Sequence, residues 1–201
     1  MAGSPADVLA RRLGLRTGRL TAGCGLLAIL AAAVIFLLPP HSTIAAIVLG
    51  IVGIAAFSLG MSRYAGGPWW ALATSLVTSG LLFAALTVAG RGVALQAFGL
   101  TESCEVTYRE EVDTHSRYQH YGFVHTLACP RGGTLTIRTD STDRQQQGTR
   151  VDVLDDPGGL LEPDFASRHD LVVDLLAILV SIGVVATNVV FVRRAAVKAA
   201  S

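Results

Sequence analysis

The sequence predicts a membrane α-helical chain, a bundle of four transmembrane helices, with a small all-β domain inserted as an antiparallel sheet or small barrel. Three observations predict it. Hydrophobic residues make up 51% of the 201 positions and charged residues only 15%, well under the roughly 25% charged residues of soluble domains. Thirteen of the fifteen acids fall between Glu102 and Asp170, so charge is segregated along the chain. Inside that acidic stretch, Cys104–Tyr108 and Tyr121–Cys129 alternate apolar and polar residues, each ending on a cysteine at its outer end.

The helices follow from the length of the uncharged runs. About 20 apolar residues cross the hydrocarbon core, and in lipid every backbone polar group must be bonded internally. Residues 20–38, 43–62 and 69–89 carry no charge. Residues 171–192 carry only Asp174. These four segments are the expected spans, with a 1–19 tail before them and a 193–201 tail after them. The first run is longer than a signal-peptide core, and Pro39-Pro40-His41-Ser42 is a poor cleavage site. It therefore reads as a retained helix followed by a tight turn.

Basic residues set the expected orientation. Arg11, Arg12, Arg16, Arg19, Arg63, Arg193, Arg194 and Lys198 all fall on one side if both termini are cytoplasmic. Residues 90–170 are then extracytoplasmic, in a multi-pass protein of the cell membrane. Tyr64, Trp69 and Trp70 lie where an inner aromatic belt is expected. In the second helix, Ala46, Gly50, Gly53 and Gly60 share a face. Such a face lets helices approach closely, and packing within the bundle is the favoured reading over an oligomer seam.

The domain at 101–156 reads as four strands. Cys104–Tyr108 and Tyr121–Cys129 alternate, Leu135 and Ile137 mark a third strand, and Val151 and Val153 a fourth. Pro130-Arg131-Gly132-Gly133 is a turn, and the polar stretch 140–148 a loop. Setting Cys104 opposite Cys129 in an antiparallel hairpin places Val106 by Leu127, Tyr108 by His125, Glu110 by Phe123 and Val112 by Tyr121. Both cysteines then share the mostly apolar face. Opposed strand residues are within disulfide reach, and an oxidising outer compartment preserves the bond. The alternatives are free thiols or a metal site with His115, His120 and His125. The latter lacks the four convergent ligands of structural zinc, so the expectation is a Cys104–Cys129 disulfide and no metal. Cys24 is a small packing residue of the first helix.

No nucleophile elbow, metalloprotease helix or phosphate loop occurs. The expectation is therefore no catalytic residue, no cofactor and no enzyme. Asp174 invites a proton-site reading, but it stands three residues into the fourth helix, beside water and the positive end of the helix dipole. Asn188 is the other intramembrane polar group. A net charge of +1 without a uniform basic patch excludes nucleic acid as a partner. One Lys against fifteen Arg, with abundant Ala, Gly and Val, is the composition of a GC-rich bacterial genome.

Residues Cys104–Arg109, Tyr121–Leu127 and Gly148–Pro157 resemble uncharacterised bacterial integral membrane proteins that insert a short extracytoplasmic β-domain between transmembrane helices. The resemblance covers about 55 residues, 104–157. It implies a compact sheet or small barrel and no known activity. The functional expectation is a multi-pass membrane protein whose outer domain is a binding or interaction module. Its partners would be the lipid bilayer and an envelope protein, a peptide or a second copy of itself. The alternatives are a small channel or transporter subunit using Asp174, and an envelope enzyme using His120 and His125.

Overall fold

The structure is a computed structural model that describes residues 5–38, 42–114, 120–131, 133–140 and 143–198, with the side chains of 5–13, 113, 114, 120, 121 and 140 outside the description. The chain forms two compact units, one of Met1–Gly90 with Asp174–Ser201 and the other of Arg91–Val173.

The first unit is helical. Its elements are α1 (Pro5–Leu37), α2 (Thr43–Tyr64), α3 (Trp69–Phe98) up to Gly90, and α4 (Leu171–Lys198) from Asp174 onward. Each is long and apolar enough to cross a membrane. All four run beyond the apolar segments expected to span, α2 only as far as Tyr64. Apolarity marks a span, whereas Ala, Leu and Arg sustain a helix past it; α1 begins at Pro5, residues before the expected boundary, and α4 continues through Arg193 and Arg194 to Lys198. The expected turn at Pro39, Pro40 and His41 lies outside the described residues.

Small residues determine how α1 meets α2. Gly18, Ala22 and Gly25 on α1 face Gly53, Phe57 and Gly60 on α2. A Cβ on Gly53 would stand 2.9 Å from the Gly25 carbonyl oxygen, and one on Gly18 would stand 2.9 Å from that of Gly60. Backbone therefore touches backbone, the close approach that favours helix pairing in lipid. Gly50 serves α3 instead, because a Cβ there would reach the Phe83 ring at 2.6 Å. The small face of α2 is thus used inside the bundle. Ile29, Phe57, Met61, Leu82, Val185 and Val192 fill its centre.

Buried hydroxyls of this unit bond to their own helices. Ser58 donates to the Ile54 carbonyl at 2.7 Å, Ser79 to that of Ser75 at 2.6 Å, and Ser181 to that of Ile178 at 2.8 Å. Asn188 links two helices by donating Nδ2–H to Ser75 Oγ at 2.9 Å.

The second unit is an antiparallel half-barrel sheet of five strands. They are β1 (Leu100–Thr114), β2 (His120–Ala128), β3 (Thr134–Asp140), β4 (Arg150–Asp155) and β5 (Asp164–Phe165), followed by a short 3-10 turn at Ala166–Arg168. The strand order is β3-β2-β1-β4-β5. Cys104, Val106, Leu127, Ile137, Val153 and Phe165 form its core. Cys104 and Cys129 are disulfide-bonded, with Cα atoms 4.4 Å apart.

The expected hairpin register holds at Val106↔Leu127 and then shifts. A bulge between Val106 and Tyr108 pairs Tyr108 with Thr126, Arg109 with His125 and Glu111 with Phe123. The pairings of Tyr108 with His125, Glu110 with Phe123 and Val112 with Tyr121 are therefore corrected by one residue. An extra residue in one strand turns the side chains after it to the other face. Tyr108 and Val112 become exposed as a result. The fifth strand was not expected, since two residues carry no periodic signal.

Substituting Gly25→Leu should destabilise the helical unit by about 1–3 kcal/mol, the usual overpacking range. Denaturant titration in detergent micelles measures it. Gly23→Leu is the control: a Cβ there meets nothing within 4 Å, and its stability should stay within about 0.5 kcal/mol.

Candidate functional site

The residues expected to carry chemistry in the sheet unit fall into three clusters, and each is closed on itself. The first surrounds His125. Its position on β2 faces the core, where the ring is fully buried. Phe165 meets it edge-on at 5.6 Å between ring centroids, and Phe123 lies 6.2 Å away. Nε2 accepts the Gln145 backbone N–H at 3.2 Å. That bond places the proton of the neutral ring on Nδ1, which lies 3.5 Å from Thr139 Oγ1. Thr139 in turn donates to the Asp143 carbonyl at 2.9 Å. The imidazole therefore ties the loop at 143–145 to β2 and β3. Burial lowers its pKa below 6.5, with the nearby Arg109 and Arg168 adding to that effect and Asp143 opposing it.

The second cluster is built on Asp164, a buried carboxylate in β5. It bonds the Phe165 N–H at 2.9 Å and faces His169 at 3.2 Å, Arg168 at 3.4 Å and Arg91 at 3.9 Å. Desolvation raises its pKa, but His169, Arg91, the Phe165 N–H and Arg168 together outweigh it and hold the carboxyl below the usual range. Arg168 also pairs with Asp143 at 2.6 Å, and Arg91 with Glu162 at 3.6 Å. The loop held by His125 is thus held a second time, by charge.

The third cluster is the 156–161 turn. Asp156 accepts the N–H groups of Gly158, Leu160 and Leu161 at 2.9, 2.9 and 3.1 Å. These bonds, that of Gly158 first, hold its pKa below the usual carboxylate range against the opposing effect of desolvation. Gly159 supplies the positive φ of 66° that the turn needs. A run of N–H groups that could cradle an external anion is therefore occupied by the chain's own carboxylate.

One group has metal-ligand types at close range. Glu102, Cys104 and Cys129 place their donor atoms within 4.8 Å of one another. The two sulfurs are bonded to each other, and Glu102 pairs with Arg131 at 2.5 Å. The donor set is spent.

Among the other sequence-picked residues, His120 has its backbone at the start of β2, but its side chain lies outside the described residues, as does His115 altogether. The structure does not bring His125 to a surface. Asp174 stands in the first turn of α4 and is half-buried. Asp170 caps that helix, accepting the Val172 and Val173 N–H groups at 2.9 and 3.2 Å. Sequence reasoning missed Arg91, Asp143, Asp164, Arg168 and His169, whose partners lie up to 73 positions away (Arg91 to Asp164). The chain matches no protein-family model, no curated protein and no solved structure.

Two outcomes follow from these clusters. The unfolded chain takes up a proton at His125 near pH 6.5, whereas the folded chain takes it up only at lower pH. Stability is therefore full above pH 6.5 and declines as pH falls through the gap, by at most about 1.4 kcal/mol per pH unit. His125→Gln should remove that part of the slope, and the protection factor of the Gln145 amide, read by hydrogen exchange, should cease to follow pH there. Asp164→Asn should cost about 2–3 kcal/mol, at the low end for a buried charge because both guanidiniums reach water. Glu162→Gln, at an exposed pair, should change stability by under about 0.5 kcal/mol. Urea unfolding of both variants checks the contrast.

Proposed function

We propose that this chain is a multi-pass bacterial cell-membrane protein whose sheet unit is displayed outside the cytoplasm and binds a partner by accepting an extended strand. The observation that carries the reading is the free edge of β3. Its seven residues pair with β2 on one side and, among the described residues, with no strand on the other. An unpaired row of N–H and C=O groups is a template for another strand. Thr134, Thr136 and Arg138 line its exposed face. This edge lacks the proline and lysine that commonly blunt such strands.

The membrane placement is supported by the outward faces of the helices. Leu27, Val34, Ile51, Val77, Leu179 and Val180 are all half or more exposed. Apolar surface on that scale is unusual for a soluble monomer. The orientation is supported by Arg16, Arg19, Arg63, Arg193 and Arg194 at one end of the helices. A transporter role gains no support, because the buried hydroxyls bond within their helices and Asn188 is bonded to Ser75. Nor does catalysis at His125, whose two ring nitrogens face Gln145 and Thr139 inside the fold.

In a Cys24→Ala background, Thr136→Cys should react with a membrane-impermeant maleimide on intact cells. A photo-crosslinking residue at Arg138 should trap a discrete species, and the same residue at Glu110 should not. A band at twice the chain mass would identify the partner as a second copy. Labelling only after lysis would overturn the orientation. Equal trapping at both positions would overturn the edge as the binding surface.

A further inference from the structure

We propose that the helical unit holds one anionic phospholipid of the cytoplasmic leaflet in a cleft between α1, α2 and α4. The inference rests on the membrane reading above and deepens it. The cleft has a volume of about 300 Å³. Its two ends differ in chemistry. Arg19, Arg193 and Tyr64 line one end, and Leu26, Phe57 and Val189 line the rest. Among the described residues, no carboxylate lines it.

Helix geometry sorts these residues by depth. Arg193 stands one turn from Val189, and Arg19 two turns from Leu26, about 10 Å along the axis. Tyr64 packs beside Gly18, which places its backbone at the level of Arg19. Cations and a phenol therefore share one level, and apolar side chains follow below it. That is the order of a phospholipid, anionic head first and acyl chain after. Arginine suits the head because its planar fork matches phosphate oxygens.

Two further observations fit this occupant. Gly23 lines the cleft, and a Cβ there would meet nothing within 4 Å. Unlike Gly25, it is not needed for helix contact, so its missing side chain leaves room for something else. A second, shallower cleft shares Arg193 and is lined by Arg194, Lys198, Val190 and Val197. Further positive charge thus lies beside the head position on α4, as expected for attraction to anionic lipid.

The test is native mass spectrometry of the full chain in detergent. The probes are a phosphatidylglycerol, a phosphatidylcholine with the same acyl chains, and soluble glycerol phosphate. Retention of the anionic lipid should exceed that of the zwitterionic one by about tenfold. Arg19→Gln with Arg193→Gln should erase the preference. Gly23→Leu should cut retention of both lipids while helix content by circular dichroism is unchanged. Equal retention of the two lipids, or full retention by Gly23→Leu, overturns the proposal. Competition by glycerol phosphate as strong as by the lipid would reduce the site to a phosphate site and also overturn it. Failure of the membrane reading is separable: the chain would then leave the membrane fraction under alkaline carbonate extraction.

Discussion

The pairing of β1 with β2 is the constraint on which the sheet unit depends. Cys104 and Cys129 close it at one end, and Val106 opposite Leu127 fixes the register beside them. One step later, the bulge at Thr107 changes which side chains face inward. Arg109 then stands opposite His125, while Tyr108 turns to the surface. Had the register run straight, Tyr108 would occupy the inner face and Arg109 would be turned away from Phe123. Instead Arg109 stacks over the Phe123 ring, 5.6 Å from its centroid, and bonds the Gln145 carbonyl at 3.3 Å. The loop at 143–145 is therefore positioned by a single inserted residue some 36 positions earlier.

The two units are held together by different means. In the helical unit, glycines remove side chains so that backbones touch, and the outward surface is left apolar. Packing, not water exclusion, holds such helices in lipid. The sheet unit has too little chain for a large core, and small domains of that size commonly need covalent or ionic help. Here a disulfide fixes the hairpin, Asp164 gathers two guanidiniums and the His169 ring, and His125 pins the loop. The buried carboxylate and the buried imidazole are both titratable, so acid weakens this unit from two directions.

Legibility from sequence followed the range of each interaction. Apolar runs of 20 residues announce helices by themselves, and so does alternation within a strand. The Cys104–Cys129 pairing was readable because the register that sets the two cysteines together also sets Val106 by Leu127, the part of it that lies before the bulge. The bulge was not, since Thr107 is a residue that either strand geometry accepts, and apolar residues at Tyr108 and Val112 continued the alternation falsely. Helix ends were blurred by alanine- and arginine-rich flanks that sustain a helix beyond the apolar run. The Asp164 network left no trace, because Arg91 and Asp143 reach it from separate parts of the chain. His125 was singled out for its chemistry, although its two-residue spacing from Leu127 and Cys129 already set it on the apolar face.

What the sheet unit can offer another molecule follows from what its polar groups have already committed. A general base needs a free lone pair, and a nucleophile needs a path to substrate. His125 uses its lone pair on Gln145, Asp164 is ringed by cations and an N–H, and Asp156 fills its own turn. The disulfide removes the thiols. Among the described residues, β3 turns outward its unpaired backbone edge and the side chains of Thr134, Thr136 and Arg138. Such a surface can recognise an extended chain through hydrogen bonds that any sequence can make, with selectivity left to alternate side chains. The closed interior and the open edge belong to one arrangement: inside the half-barrel the polar groups satisfy one another, while β3 pairs on one side only among the described residues.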